Sequence, residues 1–506
     1  MPFRIKISFV IACLIIGISA ISSGKSGDKI EILQADYLKG SNTIDPDLRK
    51  LIGNVVLRHN FTLMFCDSAY LYPSRNIFEA YNNVKIVQGD SVTLECKYLK
   101  YDGNENLAHA INDVKLMDKD MTLYTSLLDF NTEFSVGNYY YGGKIINKKT
   151  VLTSQKGTYN SKKKEFHFKN NVVVKDPQYE VYSDTLKYLS DIEKVFFLGP
   201  TTIILDTNTI KCEYGWYEVK DSVAQFEKNA SIVNNSQKVT GDLLYYNQST
   251  KKGKGRKNVQ IFDIKRDIIV KGNIADFDRK TEYFTVTDSA LLIMITEGDS
   301  IFIHADTLCS LYDTTAKNRI LKAYYKVKIF KSDIQSKCDS MVYSSADSII
   351  KLFYKPIIWS GENQISANYI EIYIKNRKFD KIKMNELAFL IAIEDTSKFN
   401  QVKGKNMTGY FKNNELYKID VNGNGQSVYF PKEKQKVIGI NKIESSDMRI
   451  YIENKKIKRI ICLTAPTARL IPLKDATQED YKLKDFNWLD YLRPRNKDDI
   501  FIMPIK

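Results

Sequence analysis

The chain has 506 residues, 43% of them hydrophobic and 12% aromatic, which supports a large buried core and excludes a disordered polypeptide. Its formal charge of +15 points to an anionic partner, such as a phosphorylated lipid or a membrane surface. Lysine, asparagine, isoleucine and tyrosine are all abundant, so a general compositional bias is the competing source of that charge.

The start reads as an export signal over residues 1–22. Arg4 and Lys6 precede an apolar stretch from Ile7 to Ile18, and Ala20, Ser22 and Gly24 offer small residues for cleavage. Its loss lowers the charge to +13. An uncleaved anchor and lipidation at Cys13 are the alternatives. No later stretch approaches ~20 apolar residues, so the mature chain is expected to be soluble or peripheral to a membrane.

From Ala35 onward one short pattern recurs. Phe65-Cys66-Asp67-Ser68-Ala69-Tyr70-Leu71 is followed by Glu95-Cys96-Lys97-Tyr98-Leu99-Lys100-Tyr101, and Tyr182–Tyr188 and Thr240–Tyr246 follow the same plan. The small residue forms a column: Ala35, Cys66, Cys96, Thr125, Ser154, Ser183, Cys212, Gly241, Gly272, Ala305, Cys338, Ala367, Gly404 and Ser446. The commonest step is 29 residues, and the last steps lengthen to 37 and 42. Near-constant steps of this size mark a stacked repeat array, predicted here over residues 28–472.

Each repeat places apolar residues two before the small residue (Met64, Leu94, Val181) and three after it (Leu99, Leu128, Leu186). An aromatic usually stands five after (Tyr101, Phe130, Tyr188). This alternation predicts strands, and nothing keeps a helical period. Even offsets before the small residue and odd offsets after it cannot share one face of a straight strand. A bulge or corner is therefore expected at the small-residue–Asp step, with Asp bonding backbone N–H groups freed there. Turns such as Pro73–Asn76 and Asp102–Asn104 follow. A second strand then returns, with a break before a further apolar run beginning Asn83-Val84 or Asn112-Asp113-Val114. Taking one strand spacing of ~4.8 Å per repeat, fourteen repeats span on the order of 65 Å.

Six cysteines remain after Cys13. Four stand in the small-residue column, and Cys66 and Cys96 lie on neighbouring repeats. That placement allows a bridge at one strand spacing, or simply four small apolar residues. From Ala476 to Lys506 the pattern stops. This polar tail, assigned to residues 473–506, reads as a loose terminus with one candidate docking cluster, Phe486-Asn487-Trp488-Leu489.

Chemistry was sought without result. His59, His109, His167 and His304 are scattered, with none of the spacing a zinc site needs. Gly24-Lys25-Ser26 lacks the upstream glycine of a phosphate loop. No Ser-His-Asp order or CxxC motif supports catalysis. The basic run Lys251–Lys257 reads as a solvated turn or as a contact for lipid phosphates. The expectation is no enzyme, no cofactor or metal, and no nucleic-acid partner.

The small-Asp-x-apolar-x-Tyr unit, with an Asn-Val-x-apolar strand in the same repeat, resembles the OstA-like family. That family comprises the lipopolysaccharide-transport bridge proteins LptA and LptC and the periplasmic N-terminal domain of LptD. The resemblance implies an all-β jellyroll, two sheets folded into an open V, in the periplasm and reaching toward the outer membrane. It also implies lipopolysaccharide or a related anionic glycolipid as cargo, with other jellyroll transport proteins joined edge to edge. The chain departs from the family in carrying more repeats than a short bridge protein and in ending without a barrel. On this reading Leu99, Leu128, Leu186, Leu244, Leu308, Met341 and Ile370 line a groove for acyl chains, together with Val84, Val114, Val172 and Val259. The same residues equally suit a filled core, as in a structural or carbohydrate-binding β-solenoid at the cell surface.

Overall fold

The computed structural model describes residues 29–502 apart from 41–44, 90–91, 120, 296–298, 314, 316, 376–377, 413–414, 435 and 455. The expected export signal lies outside the described residues. The described chain is almost wholly antiparallel strand, with four short 3-10 turns after Pro472. It divides into two compact units, residues 1–145 with 160–162, and residues 146–159 with 163–506.

In the first unit, strand follows strand in sequence order. Arg49–His59 pairs with Thr62–Tyr72, then Ile77–Gln88, Val92–Asp102, Leu107–Asp118 and Met121–Asn131. A repeat is thus a hairpin of two bent strands. Each repeat advances the ladder by two strand spacings, about 9.6 Å, twice the single spacing expected from the sequence.

The same correction removes the proposed bridge. Val84, in register with Cys96, stands on the strand between the two cysteines, so they are two spacings apart and beyond disulfide reach. Both are buried free thiols, and burial pushes each up to about 12.

The corner is present in every one of these strands. Register slips between Phe65 and Ser68 and again between Glu95 and Tyr98. Buried positions switch parity there: Thr62, Met64 and Cys66 before the slip, Ala69 and Leu71 after it. The return strand absorbs the bend with two successive left-handed residues, as at Asn82-Asn83, Asn112-Asp113 and Asn170-Asn171. Asparagine tolerates that conformation better than most residues. The apparent break before Asn83-Val84 is this corner inside one continuous strand.

The recurring Asp chiefly meets the corner Asn rather than a backbone N–H. Asn54, Asn83 and Asn258 each donate a side-chain N–H to Asp36, Asp67 and Asp242 at 2.9–3.0 Å. Main-chain N–H groups are taken at later corners, that of Asn258 by Asn273 Oδ1 at 3.4 Å and that of Gly423 by Asp447 Oδ1 at 3.3 Å.

The second unit repeats the plan from Thr150–Ser154 to Thr467–Pro472. Its last rung corrects one assignment. The buried column there runs Ile443, Ser445, Met448, Ile450, with Ser445 opposite Gly425. The small position is therefore Ser445, and Ser446 faces outward.

Beyond Pro472 the tail is not loose. It runs back over the outward side of strands in the same unit, held by three glutamines, each three residues before a small residue: two bond its main chain and one the side chain of Arg493. Gln364 donates to Asn487 O and accepts from Leu489 N, at 2.8 and 2.7 Å. Gln401 does the same with Tyr481 O and Leu483 N, and Gln335 accepts from Arg493 at 2.7 Å. Phe486 and Trp488 of the expected docking cluster both pack on Phe399. The docking partner of that cluster is the chain's own repeat array.

Candidate functional site

In each unit the long strands bend at their middle, so that their two ends come to the same side and their inward side chains enclose an apolar interior. The corner forms the floor of this trough and the strand ends form its rims. The residues singled out from the sequence (Val84, Leu99, Val114, Leu128, Val172, Leu186, Leu244, Val259, Leu308, Met341, Ile370) all point inward next to a corner. None is more than 3% exposed. They are the floor, and Val259, Leu308, Met341 and Ile370 belong to one packed apolar cluster of the second unit.

The rims differ between stretches of the chain. In the first unit the aromatics five after the small residue, Tyr101 and Phe130, are fully buried. Polar groups tie opposite rims together above them. His59 Nδ1 lies 2.8 Å from Tyr101 Oη, which lies 3.1 Å from Thr132 Oγ1. Gln88 donates to Thr132 O and accepts from Ser135 Oγ. His59, Thr132 and Ser135 are each at most 5% exposed. Burial pushes the Tyr101 phenol up to about 12, so it remains a neutral hydrogen-bonding group.

From Tyr179 to Met294 in the second unit the same columns are mixed, with Val181, Ile203, Val270 and Leu292 buried and other members half-buried. Tyr188, Tyr217, Tyr246 and Phe277 on one wall are half-buried, as are Ile210, Ile232, Val239 and Ile261 on the other. Two inward wall positions carry no side chain at all. Gly253 lies opposite Tyr246 and Phe277, and Gly255 opposite Leu244 and Ala275. The first unit has Phe78, Ala80, Ala108 and Ala110 on that wall, all buried. The Phe277 ring lies over Gly253, where an added Cβ would stand 1.9 Å from it, and stacks on Tyr246 with centroids 6.0 Å apart.

The inward columns are legible in the sequence, and the half-buried wall is not. Its signal is Gly253 and Gly255, at return-strand positions that carry Phe78 and Ala80, or Ala108 and Ala110, in the first unit. Among the described residues no group of three or more His, Cys, Asp or Glu is placed to hold a metal ion.

A bent antiparallel ladder around a two-walled apolar interior defines a β-jellyroll of the folded-sheet kind. The chain carries an OstA-like segment: residues 27–184 match the family described as OstA-like protein, and the hairpins after residue 184 continue the same corner and column plan. No curated protein matches the chain.

Proposed function

We propose that the chain is a non-enzymatic periplasmic carrier that shields the acyl chains of lipopolysaccharide, or a related anionic glycolipid, on their way to the outer membrane. The observation that carries this reading is the inward apolar column, one set per rung, that recurs within each of the two units, both inside the OstA-like segment and after it. Each methylene exposed to water costs about 0.8 kcal/mol, so a twelve-carbon chain costs on the order of 10 kcal/mol. A trough with similar rungs offers sites of similar affinity along its length, and a lipid can step between them without a deep trap. Parting the two walls exposes the floor residues as the groove.

The first rung supports assembly through strand edges. Glu31–Gln34 and Tyr37–Gly40 are exposed throughout and pair on one side with Arg49–His59. Ile32 and Leu38 stand opposite the inward Leu57 and Leu51, yet are 39% and 56% exposed. An unpaired edge with an uncovered apolar interior suits another jellyroll transport protein added strand to strand.

Photo-crosslinkers at Leu186 and Leu244 test the carrier reading. Labelling by lipopolysaccharide at both sites is expected, with none at the outward neighbour Lys187. A normally folded protein labelled at neither would end it.

A further inference from the structure

We infer that the stretch from Tyr179 to Met294 holds a binding site for a single-chain or multi-chain amphiphile with an anionic phosphate head, built from Tyr246, Phe277 and the Gly253–Gly255 wall below a rim of Lys251, Lys252, Arg279 and Lys280. The inference rests on the carrier reading and adds where the lipid is held and what recognises its head.

The strand Lys252–Asp263 sets the geometry. It starts at one rim with Lys252, presents Gly253 and Gly255 inward, bends at the left-handed pair Lys257-Asn258, and continues inward with Val259 and Ile261. The wall space at Gly253 is covered by the Phe277 ring, and that at Gly255 by Val259 and Leu244. Phe277 and its neighbour Tyr246 are half-buried, so rotation of these side chains uncovers the wall at Gly253. An acyl chain replacing them exchanges one apolar contact for another, without breaking a backbone hydrogen bond.

The rim above is cationic. The turns that carry these residues stack directly, with Arg279 N donating to Lys251 O at 2.9 Å. Lys251, Lys252, Arg279 and Lys280 are exposed and make no ion pair among the described residues. Neighbouring carboxylates are engaged elsewhere. Asp278 accepts the main-chain N–H groups of Lys280 and Thr281, Glu282 pairs with Arg319, and Asp263 on the opposite rim pairs with Arg266. Four exposed cations against the single carboxylate of Asp278, which lies in register with Lys252, leave a net positive rim beside the half-buried rings, which matches a phosphate joined to an alkyl chain. The start of the basic run Lys251–Lys257 is thereby placed at this rim, while Lys254 and Lys257 are exposed on the strand.

The test is equilibrium binding of dodecyl phosphate, dodecyl maltoside and inorganic phosphate to the full chain, below the micelle concentration of each detergent. The comparison protein carries Lys251→Asn, Lys252→Gln, Arg279→Gln and Lys280→Gln together. Dodecyl phosphate is expected to bind the unaltered chain about ten-fold more tightly than dodecyl maltoside, a gap of about 1.4 kcal/mol. The four substitutions are expected to erase that preference and leave maltoside binding unchanged, which also reports intact folding. Equal binding of the two detergents, or a preference that survives the substitutions, overturns the inference. Displacement of dodecyl phosphate by inorganic phosphate alone would assign the rim to free phosphate, and overturns it too. A photo-crosslinker at Phe277, compared with one at Leu128, separates this failure from that of the carrier reading. Labelling by a dodecyl phosphate analogue at Leu128 only would remove this site and keep the carrier; labelling at neither would remove both.

Discussion

Replacing Tyr101 by Phe isolates what closes the first unit. The Tyr101 ring is fully buried and touches Phe78 at 5.3 Å between centroids, so Phe keeps the packing and removes only the hydroxyl. That hydroxyl joins His59 Nδ1 to Thr132 Oγ1. Two neutral buried hydrogen bonds contribute about 0.5–1.5 kcal/mol each, so Tyr101→Phe is expected to cost about 1–3 kcal/mol. With two compact units, a global melt mixes transitions. Hydrogen exchange resolved to peptides spanning Val92–Asp102 and Leu107–Asp118 reads the local free energy instead. Faster exchange there, with no change in peptides from the second unit, is the predicted result. As a control, Tyr246→Phe removes a hydroxyl from a half-buried ring and is expected to cost less than about 0.5 kcal/mol. Equal and negligible effects of the two substitutions would refute the idea that polar ties close the first unit.

Three further outcomes follow from the geometry. Gln364→Ala removes both bonds to the tail main chain at Asn487 and Leu489 and should cost about 1–3 kcal/mol, read as lost exchange protection at residues 487–489. Tyr354 holds a left-handed backbone, φ 64, while 74% exposed; Tyr354→Asn, the residue other corners use, should stabilise the second unit by about 0.5–1 kcal/mol in denaturant. His304 packs on Phe501, and its burial holds the imidazole below its ordinary 6.5. The unfolded chain then binds the extra proton first, so this contact is fully present above about pH 6.5 and is lost as pH falls toward the depressed value. Exchange protection at residues 499–502 should fall with acidification and do so less in His304→Gln.

Much of the fold was legible because the strand period is two. The parity switch around Cys66-Asp67-Ser68 alone required a corner, and the structure has one there. What absorbs the corner was not legible, because the left-handed pair sits on the partner strand at Asn82-Asn83, sixteen residues from Asp67. The repeat length was read correctly, but its two strands were counted as one step of the stack, which brought Cys66 and Cys96 falsely close. In the lengthened last repeat two serines adjoin, and only the buried face of the strand separates Ser445 from the Ser446 read from the sequence. The tail's docking was hidden for a different reason. Gln335, Gln364 and Gln401 occupy outward positions where any polar residue is unremarked, and only the folded chain shows them holding a segment some eighty or more residues away. At the site, the floor followed from the columns, whereas the half-buried wall depended on missing side chains at Gly253 and Gly255.

The central claim is that the interior keeps acyl chains out of water. Binding the purified chain to a lipopolysaccharide whose acyl chains carry a nitroxide, then adding a water-soluble nickel relaxant, measures this directly. The account predicts a bound, immobilised label that the nickel complex does not reach. A bound label that relaxes as freely as one in water, or the absence of binding by a folded chain, would contradict it.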